Sequence, residues 1–376
     1  MTETAPTRRP RLTDVPSATP EAGHEPPGLG FGWRLWAVIV LFGAVVLARS
    51  AAVGVPVRDP DGQMFRDRLL KALAFLVIIA LVEATVRARK GGWRPHKVPA
   101  ALQERWTPQR IVLVATGLVG YHVVYLGYRN LKSWNAFNPL RDDDLLDFDK
   151  ALFLGHSPAV LLHSLFGEAA AADFFSVVYR SFTYVIVFSL VGSLALIPSV
   201  RRAYVFLCAA TYAWILGTLS YYLLPSLGPY ATAPWEFDGL RATKITETQA
   251  EYLAERVHFL ANSAAPDAFV SLGAFASLHV GFSTLVFLMA RYYGLKRISR
   301  VLAAYLTLVV ISTIYFGWHY VSDDIAGVLL AATAVLLGHW TVSPPFRRPA
   351  SRPDSRPAGR SAGRPASQSE SRRGSS

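Results

Sequence analysis

Cysteine is nearly absent from this sequence: Cys208 is the only one in 376 residues, so no disulfide can form within the chain. Set inside an apolar run, that thiol reads as a packing group. Charge is sparse too, at 17% of residues against 52% hydrophobic. The apolar residues stand in long unbroken runs, not in the short alternating stretches of a soluble core, which excludes an ordinary water-soluble domain. Residues 1 to about 30 hold no apolar stretch and are rich in Pro, Thr, Glu and Arg. They read as a disordered leader and not as a signal peptide, so the first apolar run is expected to stay in the protein. There is no internal repeat.

The net charge of +12 would suit a nucleic-acid partner if it were spread over a folded surface. Half of it is not: from Arg347 onward eight Arg stand against Asp354 and Glu370, a net +6 in a Ser/Pro/Gly/Arg segment. Such a segment cannot bury enough apolar surface to fold, and a basic tail after a membrane span marks the cytoplasmic side and touches anionic lipid. The expected partner is therefore the bilayer, with no nucleic acid.

Eight runs approach the ~20 residues that a bilayer demands: Trp33 to Ala52, Leu69 to Val86, Ile111 to Tyr128, Phe174 to Ile197, Tyr204 to Leu224, Leu278 to Tyr293, Val301 to Phe316 and Val321 to Trp340. Lys and Arg crowd the second connection (Arg87, Arg89, Lys90, Arg94, Lys97, Arg105, Arg110), the fourth (Arg201, Arg202) and the sixth (Arg291, Lys296, Arg297, Arg300). The positive-inside rule then puts both termini in the cytoplasm and the odd connections outside, with Arg58, Arg66 and Arg68 fitting less well in the first. Two outer connections are long, residues 129–173 and 225–277, and the first holds an expected interfacial helix from Leu145 to Leu154, with Asp147, Asp149 and Lys150 among apolar residues.

Most of the nine histidines stand alone in loops or spans and read as packing or solvated groups. Two have informative neighbours. In Gly317-Trp318-His319-Tyr320-Val321-Ser322-Asp323 the carboxylate follows the imidazole by four residues, which puts both on one helix face, while Asp324 points elsewhere. A carboxylate holding one ring nitrogen fixes the tautomer and frees the other nitrogen to attack. His279 begins another apolar run, with Ser277 as a plausible N-cap. In the derived orientation His279, His319 and Asp323 share the outer membrane face. Helix beginnings favour anions through their free N–H groups, so two of them are expected to share one phosphate. His319 would attack phosphorus and His279 would protonate the departing oxygen, with no metal or other cofactor.

These motifs resemble the type 2 phosphatidic acid phosphatase superfamily, with its Ser-x-His and His-x-x-x-Asp motifs, and within it the branch of the fungal inositol phosphorylceramide synthases. The likeness runs over roughly residues 110–340 and rests on "GAFASLHVG", "YFGWHYVSDDIAG" and "YYLLPSLGPY". It implies His319 as nucleophile, Asp323 as its orienting acid, His279 as leaving-group acid and a pocket lined by the Pro225–Tyr230 turn, which by its Pro and Gly alone reads equally as a helix stop; Tyr230 and Ser277 are candidates for substrate binding. Two family features are missing. The Arg expected six residues before the nucleophile is Thr313, after Ser312, and no Lys-x6-Arg-Pro motif occurs upstream. Arg129 and Lys132 in "YRNLKSWN" are the replacement candidates for holding phosphate, against a plain reading as interfacial snorkelling side chains.

The expected fold is all-α: a polytopic membrane bundle of about eight helices, a six-helix phosphatase-like core behind two N-terminal ones. The expected organisation is a disordered tail over 1–30, a two-helix segment with a basic loop over 31–100, the lipid phosphatase or phosphotransferase domain over 101–343 and a basic tail over 344–376. The expected substrate is a phospholipid, polyprenyl phosphate or inositol lipid. Hydrolysis and transfer stay open, as does the oligomeric state. A proton-coupled lipid transporter or flippase is the alternative, but it wants ionisable residues at midplane, and these cluster at the outer ends. A non-catalytic scaffold predicts that changing the histidines has no effect.

Overall fold

The structure is a computed structural model that describes residues 30–90 and 96–344. The expected leader and the basic tail beyond Pro344 lie outside the described residues. Among the described residues all regular structure is helical. Helices α1 (Gly30–Val53), α2 (Arg66–Lys90), α3 (Lys97–Arg105) and α4 (Pro108–Trp134) come first. Short α5 (Asp142–Leu152) and α6 (Pro158–Phe166) precede the long α7 (Ala170–Leu196) and α8 (Val200–Leu223). The next connection carries α9 (Pro229–Thr232) and α10 (Lys244–Ala261), before α11 (Leu278–Tyr292), α12 (Lys296–Tyr315) and α13 (Val321–Val342).

Seven of these, α1, α2, α4, α7, α8, α12 and α13, are long and apolar enough to cross a membrane, and α11 is a shorter apolar helix of 15 residues. Helices suit this composition because each segment satisfies its own backbone where no water is at hand. Their starts are marked by side chains that accept from the first free N–H groups: Thr107 from Arg110, Ser199 from Arg202 and Ser277 from Val280. The third span runs further than its apolar stretch, to Trp134, because Arg129 and Lys132 remain helical at its polar end. The short helix expected from Leu145 to Leu154 runs from Asp142 to Leu152, its first turn holding Asp142, Asp143 and Asp144, which favour the positive helix end.

The core lies where α8 packs against α4 and α13, and where α11 packs against α12 and α13; α1 lies on α4, and α2 on α7. Gly327 of α13 lets the starts of α11 and α13 touch, because a Cβ there would stand 2.4 Å from the Ser277 carbonyl oxygen. That contact brings the two histidine-bearing helix ends together.

The odd connections gather at one end of the bundle. Arg58 donates to the carbonyls of Ala268 (2.6 Å), Ser263 (3.0 Å) and Ala264 (3.1 Å), and α5 bonds to the turns before α9 and α13. The basic connections meet at the other end, where Arg105 reaches the Leu196 carbonyl, Arg110 those of Leu194, Ile197 and Pro198, and Arg202 that of Tyr292. Arg58 and Arg68, the weak fits to the charge pattern, are held by protein: Arg58 by those carbonyls, and Arg68 over the Tyr125 ring at 4.7 Å.

Candidate active site

His319 sits in the five-residue turn between α12 and α13. The turn is closed by Gly317 N–H donating to Ile314 and Trp318 N–H to Thr313, both at 3.0 Å. Asp323, in the first turn of α13, is fully buried, and its Oδ2 lies 3.4 Å from His319 Nδ1 and accepts from Tyr320 N at 3.0 Å. One oxygen thus holds both the imidazole and the backbone beside it. Asp324 points to the other side, where it accepts from Thr313 Oγ1 at 2.9 Å. The position where the family pattern has an arginine therefore holds a neutral, buried donor that is already engaged.

His319 is 5% exposed. Burial first, then the neighbouring His279 and Lys132 charges, push its imidazole well below the ordinary histidine value, against a smaller opposing pull from the Ala274 carbonyl. The ring is therefore neutral near pH 7, the state a nucleophile needs.

His279, in the first turn of α11, faces His319 with ring centroids 5.9 Å apart. It is stacked on Tyr179 (4.2 Å, 27°) and leans on Phe182 (4.3 Å), residues three apart on α7. Its Nδ1 is 3.4 Å from the Tyr179 hydroxyl. Ser277 is buried; its hydroxyl accepts from Val280 N and its own N–H donates to the Asp323 carbonyl at 3.0 Å, so it fixes the start of the helix that carries His279.

Lys132 and Arg129 stand one turn apart near the end of α4. Lys132 lies over the Tyr221 ring at 5.1 Å, packs against Gly273 and acts electrostatically on both histidines. Arg129 donates to Ser271 Oγ at 2.9 Å and lies over Phe269. Tyr230 packs against Trp318 at 5.1 Å, and its N–H donates to the Gly317 carbonyl at 3.1 Å. Tyr179 and Tyr252 also face Trp318, so the residue before His319 is ringed by three tyrosines, one of which, Tyr179, is stacked on His279. Among the described residues, neither Tyr230 Oη nor Trp318 Nε1 has a hydrogen-bond partner. No group of three or more His, Cys, Asp or Glu there has metal-binding geometry.

One expectation is corrected. The start of α13 does not offer its first N–H groups to a ligand: Asp149 takes those of Val321 (2.6 Å) and Ser322 (3.2 Å). A carboxylate already satisfies the donors and the positive helix end. Seven residues earlier on α5, Asp142 accepts from Leu227 N, Gly228 N and the Tyr320 hydroxyl at 2.9, 2.9 and 3.0 Å. Burial pushes both carboxyl groups above their ordinary range, while these donors pull the other way. Sequence reasoning found Asp149 only as a polar residue of an interfacial helix; its seven-residue spacing from Asp142, two turns on one face, was the available signal. Gly228 (φ +107) completes the contact, since a Cβ there would stand 2.6 Å from the Trp318 carbonyl oxygen.

A paired histidine and carboxylate facing a second histidine, inside a bundle of membrane-length helices, supplies the groups that phosphoryl transfer to and from a nucleophilic imidazole requires. The family comparison agrees in class: the chain belongs to the PAP2 superfamily, whose model matches residues 143–337. Members are generally phosphatases or phosphotransferases, so the chain is a membrane-embedded protein of the phosphoryl-transfer type. The matched segment contains His279, His319 and Asp323, whereas Arg129 and Lys132 precede it. No curated protein and no solved structure matches the chain.

Proposed function

We propose that the protein moves a phosphoryl group of a lipid phosphate through a phosphohistidine at His319, on the extracytoplasmic side of the membrane. The observation that carries this reading is the placement of a buried His319–Asp323 pair within ring contact of His279, with Lys132 acting on both rings. Family membership supports the reaction class and a lipid phosphate as substrate. In the first step the free His319 nitrogen attacks phosphorus, the bond from phosphorus to the lipid oxygen breaks, and His279, which takes up a proton when the negatively charged phosphate binds beside it, gives that proton to the oxygen. Asp323 balances the positive charge that grows on the His319 ring. In the second step His279 takes a proton from water or an alcohol, whose oxygen attacks phosphorus and frees His319.

Lys132 is the cation best placed to meet the phosphate charge, because Thr313 and Asp324 satisfy each other; Arg129 stands one turn earlier on α4. Tyr230, through its unpartnered hydroxyl, and Trp318 give the head group donors within an aromatic wall. Ser277 serves by holding His279 in place. The resemblance to inositol phosphorylceramide synthases supports an inositol-type head group and transfer to an alcohol. The purified protein would be incubated with phosphatidic acid, a polyprenyl phosphate and phosphatidylinositol, each with and without an added lipid alcohol, and the products read by mass spectrometry. Transfer predicts a new phospholipid that needs the alcohol; hydrolysis without it predicts inorganic phosphate from the two monoesters and inositol phosphate from phosphatidylinositol. Turnover retained in full by His319→Ala would refute the mechanism.

A further inference from the structure

The turn that carries His319 is held by two carboxylates that touch neither histidine. On the α5 side of His319, side-chain packing is incomplete. A cavity of about 10 Å³, room for roughly one water, is bordered there by Leu146, Asp149, Ser157, Pro229, His319 and Tyr320. The contacts that reach the turn across this gap from α5 are polar. Asp149 receives Val321 N and Ser322 N, the two N–H groups that immediately follow the turn, while Asp142 receives the hydroxyl of Tyr320, the residue after His319. The same Asp142 holds Leu227 N and Gly228 N, and Gly228 lies against the carbonyls of Gly317 and Trp318 on the other side of His319.

We propose that Asp149, seconded by Asp142 two turns earlier on α5, is a positioning residue for phosphoryl transfer: it sets where α13 begins, and with that the line along which His319 meets phosphorus. The assignment rests on His319 being the nucleophile. It divides the labour between two kinds of group. The α13 N–H groups are spent on aiming the nucleophile, and the charge of the phosphate falls to Lys132. A misplacement of about 1 Å at a nucleophile costs on the order of 10²-fold in rate, so a rigid mount for the turn has a large effect.

The test separates aim from charge by using two anions. Orthovanadate, as a five-coordinate mimic, needs a nitrogen ligand in line, whereas inorganic phosphate needs only the cation. Binding of each to the full-length protein in detergent is measured by thermal shift for wild type, Asp149→Asn, Asp149→Glu, Lys132→Ala and His319→Ala. In Asp149→Asn one oxygen is replaced by an NH2 group that faces a backbone N–H. Its dissociation constant for vanadate should rise about 10-fold or more while that for phosphate stays within about threefold, and Asp149→Glu should recover part of the loss. Lys132→Ala should weaken both anions. Should Asp149→Asn fail to fold, Tyr320→Phe, which removes only the hydroxyl held by Asp142, carries the same comparison, with a vanadate loss of about threefold or more expected. Wild-type vanadate affinity in the folded variant tested, or an equal loss for both anions, overturns the positioning role. If His319→Ala binds vanadate as tightly as wild type, the nucleophile assignment itself falls; if it does not and Asp149→Asn does, only the positioning role falls.

Discussion

Replacing Asp323 by Asn tests the charge of the pair and leaves its shape intact. Oδ2 serves both His319 Nδ1 and Tyr320 N, whereas Oδ1 is buried with no partner among the described residues. An amide therefore keeps both bonds only with its oxygen in the Oδ2 position, which leaves its NH2 buried where Oδ1 was. That orientation costs about 1–3 kcal/mol of stability through unpaired donors, and the flipped one is worse because it opposes two N–H groups. Geometry is thus retained and the negative charge is lost. At the observed 3.4 Å, a unit charge acting on the imidazolium that forms during attack contributes up to ~5 kcal/mol at an effective dielectric near 20. Part of this is replaced by the amide dipole, so kcat should fall by roughly 10²–10³-fold, or ~3–4 kcal/mol. Initial rates of lipid phosphate turnover at saturating substrate, normalised to folded protein by size-exclusion fluorescence, give the value. A kcat within about threefold of wild type would show that Asp323 does not stabilise charge on His319, and the pairing would then be structural only.

Three further expectations follow from the same geometry. Lys132→Ala removes the cation that acts on both histidines and should raise KM or lower kcat/KM by about 10- to 100-fold, the value of one charge-assisted contact, as read from substrate saturation curves. Gly228→Ala puts a Cβ 2.6 Å from the Trp318 carbonyl at φ +107, so it should cost about 1–3 kcal/mol of stability and at least ~10-fold in kcat, measured by melting and turnover. Because burial holds the His319 imidazole well below its ordinary value, the acid limb of kcat/KM that reports this ring should lie below the pH ~6.5 of a free histidine. The unfolded chain takes up a proton there that the folded one refuses, so stability should decline as pH drops below ~6.5, and His319→Gln should flatten that slope in pH-dependent melting.

The apolar runs, the alternating basic connections and the four-residue spacing of His319 and Asp323 were legible in the sequence, because each is a local pattern that a bilayer or a helix imposes. The approach of His279 to His319 was legible only as a shared membrane face; the 5.9 Å contact depends on Gly327 letting two helix starts touch. The use of Asp149 was not legible. A carboxylate on an amphipathic helix reads as a solvated group, and its partners, Val321 N and Ser322 N, lie 172 and 173 residues away. The same holds for Arg58, which looked like an exception to the charge rule until its carbonyl partners were seen. The expectation that the start of α13 would hold phosphate was sound about helix ends and silent about which anion would arrive first, and here it is the protein's own carboxylate.

Trapping the intermediate asks directly whether His319 carries the phosphoryl group. The protein would be quenched in base during turnover of a 32P-labelled phosphatidic acid, polyprenyl phosphate or phosphatidylinositol carrying the label in its phosphate, then digested and mapped by mass spectrometry. An acid-labile, base-stable phosphate is expected on the peptide containing His319 and absent in His319→Ala. Label on another residue, or turnover with no trapped phosphoprotein and an active His319→Ala, would contradict it.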